Sequence, residues 1–430
     1  MNKLTRALLS ILFAALLCLI LNAAAFTLNS DDMQKNAEQG LAMLAQEGAS
    51  PELVGGFSSA RLDNFTAALM VKTAAHTGSE SLLRKTLGGL RVDMPIPAGT
   101  GMEEGWQLFC RYASSDDVTN GSRTYSRYWH GYLFPLRLLL SVFTLANIQM
   151  LLYYAQMALL FAVVIGCAKR APAVLPGLLT AFFLLMPAAT GVCLQYMPVT
   201  LTALAACCLV LYADKPIASA IGMPGFFALV GLVTNFLDLL TFPLLSLGFP
   251  LALYMAARIE EDGADWKALF TELFFCGLCW GLGYGGMWAF KWALTGLCFG
   301  GSAIADILGQ AAIRVSSATN GEAYSRLEGL ARCLNVLFAK PAYLALMLLT
   351  AAAALVTMAC RARTLVKDGQ HVALDPRALL LLLLAAVPLC WTVVLANHCY
   401  DHFYFTYRIL TVSVLSGYAA AVLLVKRSRA

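Results

Sequence analysis

The chain has 430 residues, of which 60% are hydrophobic and only 13% charged, and its mean hydropathy is +0.70. A soluble domain of this size has no core able to hide so much apolar surface, so lipid is the solvent for most of the chain. The net charge of +5 is modest and becomes informative only when its lysines and arginines are placed along the sequence; no nucleic-acid partner is expected.

The first segment, MNKLTRALLSILFAALLCLILNAAAF, carries two basic residues and then an apolar run. That run is about 20 residues, long for a secretory signal and right for a span. It reads as a retained signal anchor that delivers the following loop, residues 28–130, outside the cytoplasm. In that loop RLDNFTAALMVKTAA sets Leu62, Phe65, Leu69 and Met70 at helical spacing, which predicts a helix lying on the membrane or on the bundle. Asp63 stands at its start and has two readings. It is either an N-cap accepting a backbone N–H, or a carboxylate that serves as catalytic base or metal ligand at the outer surface.

The loop ends in TYSRYWHGYLFPLR, with Arg123, Arg127, Tyr128, Trp129, His130 and Tyr132. These form either an interfacial belt with snorkelling arginines or a cluster whose forked guanidinium donors suit phosphate oxygens. Residues 131–145, GYLFPLRLLLSVFTL, are short for a span and hold Arg137 at their middle, so an interfacial helix is predicted there.

Stretches of roughly spanning length fall near 7–27, 148–168, 173–192, 199–213, 217–236, 239–257, 268–293, 338–360, 376–396 and 408–425. With ten spans, the short loops CAKRAP, ADKP, ARIEEDGADWK and CRARTLVKDGQHVALDPR lie on one side with both termini. The positive-inside rule makes that side cytoplasmic. The expected fold is therefore an all-α polytopic membrane protein of about ten transmembrane helices, with 1–430 as a single membrane domain. Its outer face receives the 28–130 loop, a second loop over 294–337, and two short polar turns.

The first of those turns, TNFLDLLTFP, brings Asn235 and Asp238 to membrane depth, where a carboxylate faces a polar cavity or a partner. Asn235 suits satisfaction of backbone groups freed by the turn. In the second loop, Arg314, Arg326 and Arg332 alternate with Asp306, Glu322 and Glu328 and read as a solvated helical surface. The second turn, NHCYDHFYFTYRIL, concentrates His398, Asp401, His402, Tyr404, Tyr407 and Arg408. Its two histidines are four apart, hence on one helical face. That spacing is compatible with a metal site, so a divalent ion is left open as a cofactor, or with hydrogen bonding to a sugar. Most of the thirteen cysteines lie inside apolar runs and read as small packing residues, Cys399 excepted.

Taken together, LDNFTAAL, RYWHGYLFPLRLLL and TNFLDLLTFPLLSLGFPL resemble the GT-C superfamily of integral membrane glycosyltransferases over roughly the first 260 residues. The resemblance implies a cytoplasmic N-terminus, an early outer loop with an acidic catalytic residue, and an interfacial helix before the bundle. It implies transfer of a sugar from a polyprenyl-phosphate donor to a cell-envelope glycan or lipid acceptor at the outer face of a bacterial plasma membrane. Asp63 would be the base and Arg127 and Arg408 the phosphate-side groups. Tyr128, His130, Asn235, Asp238, His398, Asp401, His402 and Tyr407 would line the cavity. The chain departs from the pattern in following Asp63 with Asn64 rather than a second carboxylate. Alternative expectations are a polysaccharide polymerase or ligase relying on arginines of the 294–337 loop, a lipid-linked-glycan transporter, and a non-enzymatic scaffold.

Overall fold

A computed structural model describes residues 2–89, 91–92, 102–113, 122–261, 265–319, 321–369 and 371–427. Helix α1 (Lys3–Ala25) starts where the Asn2 side chain accepts the Thr5 N–H at 2.8 Å. At 1.5 Å per residue it is roughly 35 Å long, enough for a hydrocarbon layer of about 30 Å. The loop then folds as α2 (Asp31–Glu47), α3 (Asn64–Ala74), α4 (Leu82–Gly88) and α5 (Met102–Ala113), with a small pair β1 (Arg91–Val92) and β2 (Ser122–Arg123). The short helix α6 (Leu133–Leu140) occupies the stretch expected as interfacial. Arg137, at its centre, is buried rather than snorkelling. It donates to the carbonyls of Leu28, Ala74 and His76, tying the segment that follows α1 to the end of α3.

The remaining helices are α7 (Leu145–Arg170), α8 (Leu175–Leu184), α9 (Pro187–Val192), α10 (Met197–Tyr212), α11 (Asp214–Ala220), α12 (Gly222–Leu237) and α13 (Leu245–Glu260). They continue as α14 (Trp266–Phe299), α15 (Gly301–Val315), α16 (Leu327–Phe338), α17 (Pro341–Lys367), α18 (Leu380–Val394), α19 (Ala396–Asp401), α20 (Phe403–Thr406) and α21 (Leu410–Leu423). Two more antiparallel pairs, β3 (Ala318–Thr319) with β4 (Glu322–Ala323) and β5 (Val372–Leu374) with β6 (Val425–Arg427), close loops.

This is an all-α fold with the make-up of a polytopic membrane protein. Among the described residues six helices are long and apolar enough to cross a membrane, or seven if α10 and α11, bent by 92°, count as one span. Their outward faces are apolar, as Leu348, Leu349, Leu355 and Val356 of α17 illustrate. The expected span over 173–192 is two short helices, because Met186 sits in the left-handed region at φ 56° and breaks the run. The segments 217–236 and 239–257 fold as helices of 16 residues each, α12 and α13.

Packing follows the small residues. A Cβ on Gly283 of α14 would come 2.0 Å from the carbonyl oxygen of Ala228 in α12, and one on Gly231 would come 2.2 Å from that of Trp280. The two backbones therefore touch where each lacks a side chain, a crossing suited to a membrane interior. At one end of the bundle Arg170 meets Asp214 at 2.9 Å and Glu261 at 2.5 Å, and Arg361 meets Glu260 at 2.7 Å. These ion pairs join the charged short loops to one another. Residues of α3, α5, α19 and α20 line a cavity elsewhere.

Candidate functional site

The turn before α3 is fixed by its backbone: Leu62 donates to Pro51 O at 2.9 Å, and the Asn64 side chain to Glu47 Oε2 and Gly48 O at 3.0 Å. This presents Asp63 as the N-cap of α3. Its Oδ1 accepts the Thr66 N–H at 2.8 Å, and its Oδ2 accepts the Thr66 hydroxyl at 2.9 Å. The capping role is real, and it does not exhaust the carboxylate. Oδ2 also faces the Tyr404 hydroxyl at 3.4 Å, and Asp63 lines a cavity of about 580 Å³. Burial pushes its carboxyl above the ordinary range, opposed by the bonds from Thr66 and Tyr404.

Separated segments complete the walls. From the segment before α6 come Arg127, Tyr128, His130 and Tyr132; from α15, Arg314; from α19 and its C-terminal junction, His398 and His402; from between α9 and α10, Gln195. Residue 130 adopts φ 57°, which turns the imidazole inward, and Gly131 follows because a Cβ there would lie 2.4 Å from the Phe236 ring. His130 Nε2 donates to Tyr125 O at 2.9 Å, leaving Nδ1 to accept the Tyr132 hydroxyl at 3.1 Å. Burial holds its pKa down at about 3, so it is neutral at ordinary pH.

The histidines of the second turn face each other with ring centroids 5.0 Å apart. His398 is 4% exposed and donates from Nε2 to Leu240 O at 2.6 Å. Its Nδ1 is buried and has no hydrogen-bond partner, so a lone pair is left for a ligand. His402 Nε2 takes a hydrogen bond from Arg314 at 3.3 Å, and its ring stacks on Phe405. Burial first and the Arg314 charge second lower its pKa to about 3. Each histidine thus has one nitrogen engaged, and a cation stands beside the pair. Among the described residues no group of three or more His, Cys, Asp or Glu side chains is placed to hold a metal ion.

Arg127 is half-buried, its guanidinium 4.4 Å from the Tyr125 ring centre and 5.6 Å from that of Tyr128. Trp292 donates to its carbonyl at 3.1 Å. Two arginines therefore stand in one cavity with a buried carboxylate and neutral histidines.

Five residues expected at the site stand elsewhere. Arg408 is fully buried and donates to the carbonyls of Leu185, Tyr404 and Ser59 at 3.0, 3.1 and 2.7 Å. Tyr407 donates to Leu184 O at 2.8 Å. Both satisfy carbonyls orphaned where α8 stops, so neither is a phosphate or cavity group. Asp401 is exposed and accepts from Thr319 and Asn397, both at 3.1 Å. Asp238 accepts the Thr241 N–H at 3.0 Å and the Thr241 hydroxyl at 2.5 Å, closing the turn after α12. Asn235, expected to satisfy that turn, is buried with no hydrogen-bond partner for either amide atom, so Asp238 does the work expected of it.

No protein-family model, curated protein or solved structure matches the chain.

Gln195 belongs to the cavity without having been named from the sequence, and Arg314, expected on a solvated helical surface, lines it too. Gln195 carried a signal, being an amide inside the apolar run GVCLQYMPV, and its Oε1 is buried without a partner. Arg314 resembled any other charge of an amphipathic helix.

Proposed function

We propose that the chain is a membrane glycosyltransferase of the GT-C type, moving a sugar from a polyprenyl-phosphate donor to an envelope glycan or lipid acceptor at the outer face of the membrane. The observation that carries this reading is the meeting of Asp63, Arg127, Arg314 and the neutral His398 in one cavity. Asp63 takes the proton of an acceptor hydroxyl, whose oxygen forms a bond to the anomeric carbon. The bond from that carbon to the phosphate oxygen breaks, and its electron pair leaves with the phosphate. Arg127 and Arg314 meet the charge that develops there, and the configuration inverts. In this reading α8–α9, α10–α11, α12 and α13 complete a set of ten spans, with both termini cytoplasmic and the cavity outside, in a bacterial plasma membrane.

Deleting the gene tests the proposal. The lipid-linked sugar should accumulate in membranes while the same sugar disappears from a surface glycan. Unchanged lipid-linked pools and an unchanged surface would overturn it.

The presence of Arg314 in the cavity favours one second reading, a polymerase or ligase that relies on the 294–337 loop. Under that reading Arg326→Ala would cost more activity than Asp63→Ala. Arg326 is exposed, and under the transferase reading its loss is neutral.

A further inference from the structure

A second cavity, of about 720 Å³, lies outside the first and shares only Tyr125 and Arg127 with it. Its far wall is one face of α15, where Ser302, Asp306 and Gln310 recur every fourth residue, and Arg84 closes it from α4. The other face of α15 presents Ile304, Ile307 and Leu308 to Ala293, Gly296 and Leu297 of α14, enclosing an apolar groove of about 460 Å³. Trp292, also in that groove, holds the Arg127 carbonyl.

Groove and polar cavity meet at the elbow between α14 and α15. Leu297 belongs to the groove and the next residue, Cys298, to the cavity. A Cβ built on Gly300 or Gly301 meets nothing within 4 Å, so the elbow is an open saddle. Helix α14 has 34 residues. At 1.5 Å each it is roughly 51 Å long against a hydrocarbon layer of about 30 Å, which puts its last turns at headgroup level. Leu297, 84% exposed, and Leu308, 55% exposed, stand open at that level.

We propose that the groove and the polar cavity together form the site of a single lipid with a phosphate-linked, hydroxyl-bearing headgroup. Its chain lies between α14 and α15 and crosses the saddle, and its phosphate sits between Arg84 and Arg127. Two guanidinium forks match phosphate oxygens. Asp306 shares the cavity; a carboxylate accepts hydroxyls and repels a bare phosphate, which selects a sugar- or polyol-bearing head. Resting on the transferase reading, this is the donor's place, with Arg127 as the wall common to it and to the acceptor cavity of Asp63.

The test uses the full chain in phosphatidylcholine nanodiscs and a photoreactive isoprenyl phosphate sugar, with the isoprenyl alcohol of equal length as control. The sugar-phosphate probe should label peptides of α14 and α15. Arg84→Glu should weaken its binding about tenfold, or about 1.4 kcal/mol, and leave the alcohol unaffected. Ile304→Asp should weaken both probes, with thermal melting confirming that each variant is folded. Equal labelling by the two probes, or indifference to both substitutions, would reduce the groove to ordinary bilayer contact and overturn the proposal. So would displacement of the probe by millimolar inorganic phosphate alone. Asp63→Asn should label as the parent does, so the lipid site and the transfer chemistry stand or fall separately.

Discussion

Asp63 and Asp238 are built alike and placed differently. Each is buried, each begins an Asp-x-x-Thr sequence, and each accepts both the N–H and the hydroxyl of the threonine three residues on. Asp238 closes its turn, taking backbone N–H bonds there, and is not among the residues that line the two cavities holding Arg127. Asp63 has a further oxygen face directed at Tyr404 and an open volume. Local bonding therefore does not separate a structural carboxylate from a reactive one. What separates them is the company kept by the lone pairs that capping leaves over.

The sharpest way to break the comparison is to remove both carboxylates. Asp63→Ala should lose about 1 kcal/mol of stability with its helix cap, and Asp238→Ala about 1 kcal/mol with the hydrogen bonds of its turn. Only Asp63→Ala should also lose transfer, by roughly a hundredfold or more, the scale of a missing general base. Labelled sugar transferred in membranes from a complemented deletion strain gives the first quantity, and thermal melting in detergent the second.

The two arginines assigned alike from sequence should divide in the same way. Arg408→Ala orphans buried carbonyls and should cost about 1–3 kcal/mol of stability. Arg127→Ala, at the cavity wall, should reduce transfer with melting little changed.

Acidity sharpens the contrast further. Because burial raises the Asp63 carboxyl, transfer should fall as pH drops through that raised value and recover on returning to neutral pH. Stability has an independent pH dependence from the histidines. The unfolded chain binds protons near pH 6.5, whereas His130 and His402 in the fold refuse them until about pH 3. Stability should therefore be level above about pH 7 and decline as pH falls from 6.5 towards 3. Neutral replacements such as His402→Gln should flatten that decline. The smallest effect expected is a matched one: Thr66→Val and Thr241→Val should each cost about 1 kcal/mol, the worth of one hydrogen bond. Of the two, only Thr66→Val should shift the pH profile of transfer.

Much of this was legible in the sequence where a periodic signal existed. Apolar runs marked α1, α7, α14, α17 and α18, and helical spacing marked α3 with Asp63 at its start. The polar second turn placed His398 and His402 on one face. The break at Met186 was not legible, because hydropathy averages over side chains and carries no information on a single backbone dihedral. That break in turn decided the fate of Arg408 and Tyr407: the carbonyls at the end of α8 needed donors, and these two supplied them. Arg314 was read as part of a solvated surface, and its place in the cavity was not legible for the converse reason. Nothing in the composition of an amphipathic helix tells which of its charges a distant histidine will meet.

The central claim is that Asp63 supplies a base as well as a cap, and the isosteric change Asp63→Asn measures this most directly. Asparagine caps helices as well as aspartate does, so the variant should melt with the parent protein. The account predicts a folded protein, normally abundant in the membrane, that no longer transfers sugar to the surface glycan. Parental levels of transfer by that variant would contradict it and leave Asp63 a cap alone.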